Sequence, residues 1–346
     1  MKYIDLRSDT VTMPTPKMRQ AMAQAEVGDD VYRDDPTVKE LEVLAARVTG
    51  HQAGLFVASG TMGNQLAIMT HTRRGDEIIT GSNYHIVAHE VGAAAVLSNV
   101  SIRMIQHDND LIYPQDIKAA VRSTDIHNPT TSLLSLENAL SNGTVMPKDL
   151  MLENIDTAHS LGLKVHLDGA RVFNAAVALD CDVKELTAPF DSVMFCLSKG
   201  LCSPIGSMLV GSTEFIERAR KNRKLLGGGM RQAGILAAAG LISIHEMTKR
   251  LVDDHENAKK LASMLSDVKE ADVFEQLRDI NMVYFKLNVE HPEKLVDFAM
   301  TQGCKINPPG HGVFRVVTHN DISLNDIEAF VQIVKLFMKE NPSAIT

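Results

Sequence analysis

Val165-His166-Leu167-Asp168-Gly169-Ala170-Arg171 is an apolar run that ends on a carboxylate, then a glycine and an arginine. An unpaired charge is costly at such a position. Asp168 therefore reads either as the N-cap of a following helix or as the counter-ion of a protonated heterocycle, with Arg171 one step further into the same site. Short apolar runs of the same kind recur at Leu55–Ala58, Glu77–Thr80, Ile102–Ile105, Ser132–Leu136, Ser192–Leu197 and Ser207–Val210. Helical patterns lie between most of them, around 62–73, 85–97, 114–122, 149–161 and 170–179. An earlier helix opens at Pro36-Thr37, turns Leu41, Leu44, Ala45 and Val48 to one face, and stops at Gly50. Apolar runs separated by helices predict a mostly parallel sheet covered on both faces.

The pattern changes after Gly211. A nearly strand-free stretch covers about 212–269, interrupted by Gly227-Gly228-Gly229. A strand at Met282–Leu287, a helix after Pro292, a strand at Val313–Val317 and a last helix from Asn325 follow. The expectation is a large α/β domain over 1–245, N-terminal segment included, and a smaller α+β domain over 246–346. A hinge is expected near 245–280.

The 346 residues are 45% apolar and 23% charged, a globular composition. The net charge of −8 disfavours nucleic acid or an anionic membrane as main partner, since both require a basic footprint. No apolar run approaches the ~20 residues that span a bilayer. The charged start, Met1 to Arg7, lacks the apolar region of a secretory signal. Cys181, Cys196, Cys202 and Cys304 form no CxxC and fit no zinc or disulfide spacing, so reduced thiols in a cytoplasm are expected. Aromatic residues are 5% and Trp is absent, against an aromatic platform for sugars or single strands.

Ligands of open α/β sheets collect beyond the carboxyl ends of the strands. Two more strand ends carry chemistry there. Ser59-Gly60-Thr61, between Phe56-Val57-Ala58 and a helix, offers hydroxyls and backbone N–H groups, either as a phosphate cup or as a plain N-cap. Lys199, directly after Val193-Met194-Phe195-Cys196-Leu197-Ser198, is either a surface lysine or a desolvated nucleophilic amine. In that order, a cup, an Asp and a Lys form a kit for pyridoxal phosphate (PLP): phosphate on the cup, Asp168 on the pyridinium nitrogen, Lys199 as the Schiff-base lysine.

The chain resembles the low-specificity L-threonine aldolases, a family within the fold type I, or aspartate-aminotransferase, group of PLP enzymes. The resemblance covers nearly the whole chain. It rests on Asp5-Leu6-Arg7-Ser8-Asp9-Thr10-Val11-Thr12, Ala25-Glu26-Val27-Gly28-Asp29-Asp30-Val31-Tyr32 and Ser59-Gly60-Thr61-Met62-Gly63-Asn64-Gln65. It continues through His166–Arg171, Ser198-Lys199-Gly200-Leu201, Gly227–Gly234 and Arg315-Val316-Val317-Thr318-His319. The resemblance implies a lyase that cleaves L-threonine or L-allo-threonine reversibly to glycine and acetaldehyde by breaking the Cα–Cβ bond. It implies Lys199 as the PLP lysine, Asp168 on the ring nitrogen, and Ser59, Gly60 and Thr61 on the phosphate. His85 would stack on the ring, and Arg171, Arg315 and Ser8 would grip the substrate carboxylate. His85 or His127, or a water held by one of them, would remove the β-hydroxyl proton. Lys224 and Arg231 match positions that reach a neighbouring subunit's site, in a homotetramer with active sites at dimer interfaces.

Two departures lie near the expected pocket. The run after the ring-stacking His is Ile86-Val87-Ala88-His89-Glu90, without the family's usual aromatic residue. Glu137-Asn138-Ala139-Leu140 stands where the family has Glu-Asn-Thr-His. Both bear on substrate breadth more than on reaction type. His85, His89 and Glu90 do not form HExxH, so no catalytic metal is expected. The rival readings are a serine hydroxymethyltransferase-like or β-eliminating PLP enzyme, and a catalytically idle PLP-binding protein.

Overall fold

The computed structural model describes residues 3–274 and 279–341. Among them run twelve strands: β1 (Ile4–Asp5), β2 (Ala53–Val57), β3 (Glu77–Gly81), β4 (Ser101–Ile105), β5 (Thr131–Glu137), β6 (Lys164–Asp168), β7 (Ser192–Cys196), β8 (Ser207–Gly211), β9 (Ala271–Val273), β10 (Met282–Leu287), β11 (Cys304–Lys305) and β12 (Phe314–Val317). The chain forms two compact units: Pro14–Ser141 with Val145–Thr248, and Met1–Met13 with Asn142–Thr144 and Lys249–Thr346.

The first unit is built on a seven-stranded sheet of order β2-β8-β7-β6-β5-β3-β4. All pairings are parallel except those of β8, which runs antiparallel to both β2 and β7. The reason is connection length. Residues 197–206 are fewer than the dozen or so that a parallel crossover needs, so the chain turns back as a hairpin. Strands β3, β7 and β8 are buried along their whole length, as a sheet covered on both faces requires. The helix Gly60–His71 lies over the sheet. Its Leu66 and Ala67 join one apolar cluster with Leu55, Met194 and Leu209, while Ile68 joins another with Ile78 and Leu133. Pro36–Thr49 is a helix that ends at Gly50 in the left-handed region, φ 77°, where a residue without Cβ meets no penalty.

The predicted helix over 85–97 is broken. It stops at Ala88, and a wide turn at Ala94–Ser98 follows only after Val91 and Gly92 take positive φ. The break returns Glu90 to the sheet, where it is 1% exposed.

The second unit pairs β1 with β11 in parallel and sets β10 between β12 and β9 in an antiparallel sheet. Its core packs Phe285 on Phe314, centroids 5.2 Å apart, with Phe330 edge-on to Phe285. Leu6 is buried in the same cluster. The sequence reading placed the N-terminal segment with the large domain. Here it belongs with the C-terminal residues, because Ile4 and Asp5 pair with Cys304 and Lys305 and the N–H of Val317 donates to Leu6 O at 3.0 Å. So short a strand carries almost no pattern of its own.

Candidate active site

Strands β5, β6 and β7 end side by side. Register places Glu137 beside Asp168, and Asp168 beside Met194. Beyond these ends lies a small cavity lined by Gly60, His85, Glu137, Asp168, Arg171 and Lys199, together with Met194 and Cys196.

Glycines set the close approach on one side. A Cβ at Gly60 would stand 3.0 Å from Cys196 Sγ, and one at Gly63 only 2.5 Å from Met194 Cγ. The helix therefore descends onto β7 at its N-terminus, bringing its backbone N–H groups to the cavity. Ser59 caps this helix, its Oγ accepting from the N–H of Met62 at 3.1 Å. The plain N-cap is thus realised, and a hydroxyl that accepts still has its proton to donate.

Asp168 is 2% exposed. Its Oδ2 accepts from Asn64 Nδ2 at 2.7 Å and its Oδ1 from the N–H of Ala170 at 3.1 Å. The other hydrogen of the Asn64 amide goes to Glu90 Oε1 at 2.8 Å. Glu90 also accepts from Gln65 Nε2 at 2.6 Å and from His85 Nδ1 at 2.8 Å. This last bond is the main reason the His85 imidazole is pulled above its ordinary pKa, with burial opposing. It also commits Nδ1 as a donor and leaves Nε2 as the basic nitrogen. Ligand atoms of His85, Glu90 and Asp168 lie within 4.8 Å of one another. The Asn64 amide and the His85 N–H account for that cluster by hydrogen bonds.

Glu137 was not foreseen as a site residue. Its Oε2 accepts from the backbone N–H of His85 at 2.7 Å and its Oε1 from Ser141 Oγ at 2.6 Å. The short helix His85–Ala88 has no side-chain cap from Tyr84, so Glu137 supplies that acceptor from across the sheet. Burial, and after it the charge of Asp168, pushes Glu137 up to about 7. The rule that found Asp168 at the end of β6 also finds Glu137 at the end of β5. Asn64 and Glu90 had a weaker signal, as polar residues in otherwise apolar surroundings.

Lys199 stands three residues past β7, in a turn closed by Cys202 N–H to Lys199 O at 2.9 Å and Ser203 N–H to Leu197 O at 3.0 Å. Arg171 is 8% exposed at the start of the helix Val172–Ala178. Cys196 and Cys202 are buried, as expected of small apolar side chains.

The other expected residues are not brought to this cavity by the unit that holds it. His127, the other candidate base, does not line this cavity. It sits on the turn that enters β5, at the amino end of the sheet, 84% exposed and paired with Asp125 at 2.6 Å. Lys224 and Arg231 are exposed, and Arg231 pairs with Asp29 at 2.9 Å. Ser8 and Arg315 belong to the other unit, where Ser8 caps a short 3-10 turn and Arg315 pairs with Tyr284 on β10.

A mostly parallel sheet with a lysine, a carboxylate, an arginine and a helix N-terminus at its carboxyl edge is the arrangement of an α/β enzyme whose site lies beyond its strand ends. The Beta-eliminating lyase family model matches residues 5–288. The structure is similar to the threonine aldolase of Leishmania major, with a TM-score of 0.83, 18% identity, and 96% and 99% of the two chains covered. The chain is 43% identical to the low specificity L-threonine aldolase of Escherichia coli K12, over 92% of this chain and 95% of that one. It is 42% identical to the probable low-specificity L-threonine aldolase 2 of Arabidopsis thaliana, over 95% of each. The chain belongs to the low-specificity L-threonine aldolase family.

Proposed function

We propose that this chain uses PLP to cleave the Cα–Cβ bond of L-threonine and L-allo-threonine, giving glycine and acetaldehyde. The observation that carries this reading is the convergence of Lys199, Asp168, Arg171 and His85 on one cavity in a chain whose relatives bear that name. The residues present fit the cofactor: an amine, a buried carboxylate with both oxygens oriented by donors, and a glycine cradle at a helix N-terminus. When bound, PLP supplies an electron sink for the broken bond.

Lys199 Nζ would hold the cofactor through its amine. Asp168 would pair with the ring nitrogen. Gly60 N–H, with the Ser59 and Thr61 hydroxyls, would hold the phosphate. Arg171 binds the substrate carboxylate, a role shared on family resemblance with Arg315 and Ser8, and so fixes the bond to be broken. His85 would lie against the ring and accept the β-hydroxyl proton at Nε2, directly or through a water, because Nδ1 is committed to Glu90. On family resemblance Lys224 and Arg231 reach a neighbouring copy's site in a homotetramer, and His127 stands as the alternative base. Among the described residues no helix is long and apolar enough to cross a membrane, in keeping with a cytoplasmic enzyme.

An acetaldehyde-coupled assay with both diastereomers tests the reaction. Inertness to both overturns it. Pyruvate and ammonia as products would instead select the β-eliminating reading that the family model's description favours. Lys199→Ala should lower activity by roughly three orders of magnitude or more and abolish a visible absorbance that borohydride removes from the wild type. Full activity in that variant contradicts the assignment.

A further inference from the structure

Asp168 is the inner end of a buried chain of hydrogen bonds that leads away from the cavity, beneath the helix Gly60–His71, to the amino end of the sheet. Asn64 Nδ2 donates to Asp168, and His166 Nε2 meets Asn64 Oδ1 at 3.1 Å. His166 Nδ1 meets Ser192 Oγ at 2.8 Å, and Ser192 Oγ meets His71 Nε2 at 2.8 Å. Asn64, His166 and Ser192 are each 0% exposed. His71 stacks on Phe215 at 4.4 Å and borders a surface cleft together with His51, Lys164 and Arg218.

The direction of every bond is determined. Both hydrogens of the Asn64 amide go to carboxylates, Asp168 and Glu90, so its oxygen points to His166 and accepts. His166 Nε2 must then carry a proton. Burial pushes His166 down to about 3 and His71 down to about 4, so both rings are neutral near pH 7. A neutral His166 with its proton on Nε2 accepts at Nδ1, so the Ser192 hydroxyl donates there. Having donated its single proton, Ser192 accepts from His71 Nε2–H. Each member donates toward Asp168.

We propose that His71, Ser192 and His166 are positioning residues that hold Asp168 as a hydrogen-bond acceptor oriented toward the cofactor's ring nitrogen. Aligned donors polarise one another and act on a charge from a distance. The relay holds the Asn64 amide in the one orientation that serves Asp168. The charged and titratable groups around Asp168 are Glu137 from β5, Glu90, His85 and Lys199. Those around His71 are Asp191, Lys164 and Arg218. This inference rests on the reading of Asp168 as the ring-nitrogen partner.

The test uses the holoenzyme reconstituted with PLP. Ser192→Ala breaks the relay two links from Asp168 and touches nothing in the cavity, while Ser192→Thr keeps the hydroxyl. The relay predicts that Ser192→Ala moves the pH midpoint of the cofactor's visible absorbance by roughly half a unit to one unit, the scale of one ordinary net hydrogen bond. It also predicts about tenfold weaker PLP retention, a lower kcat with little change in KM, and return of all three toward wild type in Ser192→Thr. A lower melting temperature with an unmoved midpoint and unchanged PLP affinity makes the chain purely structural and overturns the proposal. Asp168→Ala is the control for the underlying reading. If it leaves the absorbance and PLP affinity of the wild type intact, that reading fails, whereas a strong Asp168→Ala effect beside an inert Ser192→Ala defeats the relay alone.

Discussion

The two units bury their polar groups for different ends. In the sheet unit, Asn64, Gln65, Glu90, His166 and Asp168 are all nearly inaccessible and bond mainly to one another's side chains. In the other unit, buried polar side chains bond mainly to backbone. Thr318 Oγ1 donates to Asp254 O at 2.6 Å, Asn281 Nδ2 to Thr318 O at 2.8 Å, and His319 Nε2 to Asp5 O at 2.8 Å. These fasten loops around a phenylalanine core. A side-chain network aimed at a cavity sets a chemical environment, whereas side-chain-to-backbone bonds set a shape. Substitutions should therefore separate into those felt in function and those felt in stability.

The largest stability effect is expected in the phenylalanine core. Phe330→Ala removes a ring that is 0% exposed and should cost about 3–5 kcal/mol by urea denaturation, with turnover per folded molecule unchanged. Lost turnover at full stability would erase the distinction between the units.

Acid should act next, and more through the sheet unit. Burial holds His71 and His166 neutral in the fold, with His71 down at about 4. A depressed imidazole contributes stability that is present above its unfolded value of ~6.5 and is lost as pH falls toward about 4. That loss reaches up to about 3 kcal/mol for His71. His71→Gln should flatten the fall in stability between those values, measured by denaturation at several pH values. His255, also down at about 4, makes one such contribution in the other unit. An unchanged slope in His71→Gln would show that the relay is not where acid acts.

The smallest effect is the most diagnostic, because its two parts have opposite signs. Glu137 is raised to about 7, so its favourable protonated state is lost as pH climbs through that value. Glu137→Gln should raise stability at pH 8 by about 1–3 kcal/mol. It should nonetheless reduce turnover, because the charge beside Asp168 and the anchor of His85 are altered. A variant that is both less stable and fully active contradicts the division drawn above.

Much of this was legible in the sequence because strand ends are short, local signals. Val165–Asp168 and Val193–Lys199 announce both the sheet and its chemistry within a few residues. The parallel order, the helix Pro36–Thr49 and its stop at Gly50 follow from spacing alone. What was not legible depends on distance along the chain. Asn64, Glu90 and Asp168 meet only because a helix and a broken helix converge on β6, and nothing near Val91 marks the break except Gly92. Glu137 was readable by the rule already in use but was noticed only as part of a departure from the family's run. The N-terminal segment was assigned to the larger domain because a two-residue strand has no periodicity.

That strand has a consequence for the order of assembly. His319 and Asp5, and Asn307 and Arg7, bond across separations of 314 and 300 residues. During synthesis Asp5 and Arg7 must wait for residues made about 300 positions later before they gain these partners, while the sheet unit is complete once Thr248 is made. Long-range closure of this kind is slow relative to local pairing, and domains form as they are synthesised. The sheet with its lysine and carboxylates would be standing first, and Ser8 would join Arg315 in the second unit only when these distant segments have paired.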